Sequence, residues 1–134
     1  MKKSLYTSSF VLFLTIIGYG QKKYPLDLPP AEKISIINLI ANSQKYDKKI
    51  VQVVGYLNIE FEGDAIYLQK EDYENGLTKN AISVDLTDSL AKQKLSAEYS
   101  KKYVIIMGTF HNDAEGSLFS GSIRNIVRLD FWRQ

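Results

Sequence analysis

The chain predicts an all-β fold: a small barrel of five strands, with a short N-terminal helix and a second helix between strands three and four. Three observations carry this reading. Residues 50–62 alternate, with Val51, Val53, Leu57, Ile59 and Phe61 apolar and the even positions polar from Tyr56 onward. That period of two sends successive side chains to opposite faces of a strand. The run is about twice the usual strand length of roughly 5–6 residues. Gly55 near its middle permits the bulge or kink by which one strand serves two sides of a barrel. Shorter alternating segments recur further on, interrupted once by a segment of helical period.

The elements follow in order. Residues 1–20 read as a secretory signal peptide: basic Lys2 and Lys3, the apolar stretch Phe10–Ile17, then Gly18-Tyr19-Gly20 with small residues at −3 and −1 of a cut before Gln21. An apolar core of eight residues is far short of the ~20 needed to span a bilayer, so no membrane insertion is expected after cleavage. Residues 21–30 (QKKYPLDLPP) form a linker with all three prolines of the chain, and residues 31–134 the barrel domain. Ser35 is placed to cap a short helix that puts Ile36, Leu39 and Ile40 on one face, with a short strand as the competing reading. Residues 42–49 are expected as a polar turn.

Gly63-Asp64 turns the long strand back into Ala65–Gln69, where Ile66 and Leu68 alternate with Tyr67 and Gln69. Glu71–Asn80 is a charged excursion, expected as a solvated helical turn. In the third strand, Ala81–Leu86, Ile82, Val84 and Leu86 point inward and Ser83 and Asp85 outward. Thr87–Tyr99 reads as a helix capped by Thr87 or Asp88, with Ala91, Leu95 and Tyr99 at spacing four. Tyr103–Phe110 is the fourth strand, with Val104, Ile106, Gly108 and Phe110 on one side. His111–Ser117 is a loop. The fifth strand is expected from near Phe119 through Ile123, Ile126 and Leu129.

Export alters the charge argument. The formal +2 comes from 17 basic and 15 acidic residues; Lys2 and Lys3 leave with the leader, so the mature chain balances at 15 against 15. Nucleic-acid binding by counterion release needs a basic excess, which is lacking overall. With no cysteine, the chain has neither disulfides nor thiol chemistry. The 114 mature residues suit one domain with one core, read as a monomer.

The strand order with a helix between strands three and four is that of an OB-fold. The wording supports it. Lys49–Gly55 fits a "K-x-V-x-V-x-G" first strand, Tyr103–Phe110 resembles a "Y-V-x-V-x-G-x-F" fourth strand, and Ser120–Ile126 the fifth strand of small bacterial OB-like modules. Gly55–Leu68 follows the "G-Y-L-x-x-E-F-E-G-x-A-x-Y-L" hairpin of a group of short, exported, uncharacterised bacterial proteins that the chain resembles over residues 34–129. The resemblance implies the fold and carries over no functional residue. Similar modules have Gly where Lys48 stands, so the turn before the first strand is expected to differ.

On such a barrel the binding surface is the outward face of the middle strands, flanked by the loops between strands one and two and between four and five. That face collects Gln52, Tyr56, Asn58, Glu60, Glu62, Tyr67, Gln69, Ser83 and Asp85. Tyr56, Asn58, Glu60, Tyr67 and Asp85 are the candidate ligand-binding residues. Rings among amides and carboxylates suit a cationic peptide, an envelope glycan or a protein partner. A single-stranded nucleic acid is the alternative by analogy of fold, disfavoured because stacking platforms for it come with a basic groove. The plainer account is an ordinary solvated strand surface. No cofactor is implied. The acid-rich neighbourhood of Glu60, Glu62, Asp64, Glu71, Asp72 and Glu74 lacks the spacing of a calcium loop. His111, the only histidine, could serve a small hydrolase as general base, but Ser117, Ser120 and Ser122 sit in no nucleophile motif, so the reading is a binder rather than an enzyme. Trp132 reads equally as a barrel plug or an interaction edge with Phe131, Arg124 and Arg128.

Overall fold

A computed structural model describes residues 27–60, 63–86 and 89–133. The predicted leader, Phe61, Glu62 and the proposed caps Thr87 and Asp88 lie outside the described residues, as does the side chain of Ala91.

The elements are β1 (Glu32–Lys33), α1 (Ile36–Ala41), α2 (Ser43–Tyr46), β2 (Ile50–Asn58), β3 (Ala65–Tyr67), α3 (Lys70–Glu74), β4 (Ala81–Val84), α4 (Ser89–Tyr99), β5 (Lys102–His111) and β6 (Ser122–Phe131). The sheet runs β1-β2-β3-β4-β6-β5, and β2 also pairs with β5, which closes five strands into a barrel. β4 meets β6 in parallel at Ser83–Ser122 and Val84–Ile123; the other barrel pairings are antiparallel. This is the expected OB-like barrel with α4 between its third and fourth strands. The two-residue β1 is an addition, paired in parallel with Val51 and Gln52.

β2 explains why its glycine matters. One edge stays with β5 from Ile50 to Leu57, while the other pairs first with β1 at Val51–Gln52 and then with β3 at Tyr56–Asn58. Gly55 falls at the exchange. The strand is shorter than its alternation predicts and stops at Asn58. Beyond it, side chains replace the ladder: Ile59 N donates to Ser100 Oγ at 2.9 Å and Glu60 N to Asp64 Oδ1 at 2.9 Å.

Inward positions pack as expected. Val51, Val53, Leu57, Ile66, Ile82, Val104, Ile106, Phe110 and Ile123 form an apolar core, with Ile36 and Leu39 of α1 and Tyr99 of α4 closing it. Ser35 caps α1, its Oγ accepting from Asn38 N at 3.2 Å, so the helix reading holds over the strand. The expected polar turn at 42–49 instead contains α2, whose Tyr46 is buried. Lys48 has φ of 61°, the left-handed conformation that favours glycine. The turn therefore has a backbone suited to glycine although lysine occupies it, and Lys48 N donates to Phe110 O at 2.7 Å.

β6 begins at Ser122, later than expected, because Leu118–Ser120 bend before it. Between Arg124↔Thr109 and Arg128↔Met107 it takes four steps where β5 takes two. This bulge, with Asn125 at φ 51°, brings Ile123, Ile126 and Leu129 to the core at spacing three.

Candidate functional site: a charged groove beside a covered aromatic face

Sequence reasoning placed Tyr56, Asn58 and Tyr67 open on the outer face. They do point outward from the barrel, but they are only 5%, 2% and 6% exposed. The cover is α3. The segment expected to be solvated lays Tyr73 over the sheet, with its ring centroid 5.7 Å from Tyr56 and 5.5 Å from Tyr67. Tyr103 also meets Tyr56, edge-on at 5.5 Å, and Phe119 meets Tyr67 at 6.5 Å. Five rings from five elements and loops thus form one ladder, mostly in the tilted and edge-on arrangements that ring quadrupoles favour. Burial is the main cause that raises the phenol pKa of Tyr56, Tyr67 and Tyr73 above its ordinary value; the Glu60 carboxylate adds to the rise at Tyr67 and Tyr73.

Glu60 is exposed and accepts from Tyr73 Oη at 3.2 Å. Asp72 is buried at 4% exposure, against the solvated reading of its turn. Tyr73, Tyr103 and Phe119 were missed as site residues. An aromatic placed inside the charged run Glu71-Asp72-Tyr73-Glu74 was the available signal, since a wholly solvated turn has no use for a ring.

Asp85 lies elsewhere, in a groove of about 840 Å³. Its walls come from the turn after β2 (Asp64), the end of β4 (Asp85), α4 (Lys92), the loop between β5 and β6 (Asp113, Phe119) and β6 (Arg124). These are the two loops that flank the binding surface of OB barrels. The charges are ordered. Lys92 Nζ is 2.7 Å from Asp64 Oδ2, and Asp64 is 8% exposed, so this pair is partly desolvated. Arg124 pairs with Asp113, which also accepts from Ser122 Oγ at 2.9 Å. Asp85 has no side-chain partner among the described residues and is exposed. Leu118, at 71% exposure, gives the groove an apolar lip. Phe119 joins the groove to the aromatic ladder.

His111 stands opposite Ser122 across the β5–β6 ladder. Ser122 gives its proton to Asp113, however, and not to the imidazole. The serine–base hydrogen bond that defines an activated nucleophile is therefore not formed.

Fold and groove together define a small closed β-barrel of OB type with a loop-flanked cleft. No family model matches the chain. Over 98 residues, 71% of the chain, it is 29% identical to UvrABC system protein B of Mycoplasma mobile, and it spans 14% of that protein's length. The likeness is to a fragment of a much longer protein and assigns the chain to no family.

Proposed function

We propose that the chain is an exported binding module whose groove takes a cationic peptide segment. One observation carries this reading: of the three groove aspartates, Asp64 and Asp113 are matched by Lys92 and Arg124, and Asp85 is left unmatched among the described residues. The groove therefore offers one carboxylate beside an apolar lip formed by Leu118 and Phe119, which suits a Lys or Arg next to an aliphatic side chain. An aspartate excess also disfavours a phosphate backbone, which requires cations free of partners.

The test is a titration followed by NMR. Acetyl-Lys-Leu-Lys-amide is expected to shift the amide signals of Asp64, Asp85 and Phe119, and Asp85→Lys to weaken binding at least about tenfold through like-charge repulsion. An oligothymidylate that shifts the same signals more strongly than the peptide at low salt overturns the reading in favour of nucleic acid.

Export rests on the order of basic start, apolar stretch and small residues in 1–20. Among the described residues no helix is long and apolar enough to cross a membrane. Protein recovered from the periplasm or the medium is expected to begin at Gln21, which intact-mass measurement checks; a form retaining Met1 in the cytoplasm counts against it.

A further inference from the structure

We infer that Tyr73 is an internal occupant of a second site, one built for a phenol ring, and that a tyrosine side chain presented by a partner peptide takes its place when α3 lifts. The site is distinct from the charged groove and does not rest on the groove's ligand.

The occupant defines the site. Its floor is Tyr56 and Tyr67, against which Tyr73 packs at 5.7 and 5.5 Å between centroids. Its far end is the Glu60 carboxylate, which accepts the phenol proton at 3.2 Å. Asn58, between Tyr56 and Glu60 in the chain and at the end of β2, is 2% exposed. Asn58 Oδ1 is buried and without a hydrogen-bond partner. A flat ring with a donor at its tip satisfies the stack and Glu60 together, whereas a phenyl ring satisfies only the stack.

The cover is weakly held. α3 has five residues, too few for a helix to stand alone in water, and its N-cap Gln69 makes no side-chain hydrogen bond. Besides the contacts of Tyr73, Lys70 N donates to Tyr103 Oη of the barrel at 3.1 Å. The exposed Lys70–Glu74 pair at 3.4 Å, of a kind that contributes little, and the bonds of Asn75 Nδ2 to Glu71 O and Leu77 N to Asp72 O, both 2.8 Å, stay within the excursion and would move with it. Asp72, 4% exposed, keeps Oδ2 buried and unpartnered in the closed arrangement. Two buried acceptors without donors, Asn58 Oδ1 and Asp72 Oδ2, disfavour closure.

Lifting α3 leaves the barrel intact. The excursion leaves β3 and returns to β4 through a pinned neck, where Leu68 N donates to Asn80 O at 3.0 Å and Tyr67 pairs with Ala81. Gly76, at φ 65° with nothing near its Cβ position, follows the helix as a pivot. No barrel ladder bond lies within residues 69–79.

Competition in cis makes a measurable statement. A ligand that must displace an occupant sees its affinity reduced by the fraction of time the site is open. Acetyl-tyrosine-amide and acetyl-phenylalanine-amide are titrated into the full chain by NMR, reading the amides of Tyr56, Asn58 and Tyr67. Tyr73→Ala is expected to bind the tyrosine amide at least about tenfold more tightly than wild type and to prefer it over the phenylalanine amide. Tyr73→Phe, which keeps the packing and drops the bond to Glu60, is expected to show a smaller gain in the same direction, and it decides the matter should Tyr73→Ala fail to fold. A folded variant that binds no more tightly than wild type, or binds both amides equally, overturns the inference. Asp85→Lys leaves this binding unchanged, so failure here and failure of the groove reading are separable.

Discussion

Gly55→Val is expected to destabilise the folded barrel severely. A Cβ at this position would overlap the carbonyl oxygen of Tyr67 and lie 2.7 Å from Ile36 Cδ1 and 2.8 Å from Ile66 Cγ1. The first of these atoms is backbone in a paired strand and has no rotamer by which to retreat. Overpacking in cores costs typically about 1–3 kcal/mol where side chains can adjust, and the cost here should reach or exceed the top of that range. The methyl of Gly55→Ala already meets all three atoms and should lower the denaturant midpoint clearly, with valine going further. A Gly55→Ala protein melting within about 2 °C of wild type would show that β2 and β3 can separate at this point, contrary to the packing described.

Phe110→Ala is expected to cost about 3–5 kcal/mol, the range for deleting a buried phenyl ring. Phe110 heads the fully buried side chains by volume and is 0% exposed. It pairs with Ile123 across β5 and β6, and its backbone is tied on the other side by Phe110 N donating to Lys49 O at 2.9 Å. The ring is also what Gly121 makes room for: a Cβ there would sit 2.6 Å from Phe110 Cε2, at φ 134°. The barrel wall around the ring is held by ladder bonds and can collapse little into the space left behind. Against a total stability of roughly 5–15 kcal/mol for a domain, this loss is a large fraction. Urea unfolding checks it; a change below about 1 kcal/mol would mean that the core relaxes into the cavity.

Much of the barrel was legible because strand alternation is a local property. Val51, Val53, Leu57, Ile66, Ile82, Val104, Ile106 and Phe110 were each assigned inward from period alone, and each is buried. Ser35 announced α1 through its hydroxyl, since an N-cap acts three residues away. The end of β6 was readable only in part. Ile123, Ile126 and Leu129 were read along the strand, but only the bulge at Asn125 explains why residues three apart reach the same side.

The candidate site was harder to read for a physical reason. Period two tells which face of β2 a side chain leaves from, and Tyr56, Asn58 and Tyr67 do leave from the outer one. Whether that face meets water depends on another segment, and nothing near Tyr56 in the chain encodes that Tyr73 covers it. The groove poses the same difficulty more sharply, since Asp64, Asp85, Lys92, Asp113 and Arg124 converge from across sixty positions of sequence. Asp85 was read as outward on the face of Tyr56 and Tyr67; it is exposed but lies in the separate groove, and the pairing that leaves it unmatched among the described residues is a matter of distances.

The amino-acid sequence alone determined the barrel, its inward side chains, the cap of α1 and the special role of Gly55, because each follows from residue type and spacing over a few positions. Only the tertiary structure decided that the aromatic face is already occupied and that Asp85, unmatched among the described residues, lies in a separate cleft. Burial and charge pairing belong to contacts between distant segments, and local spacing carries no record of them.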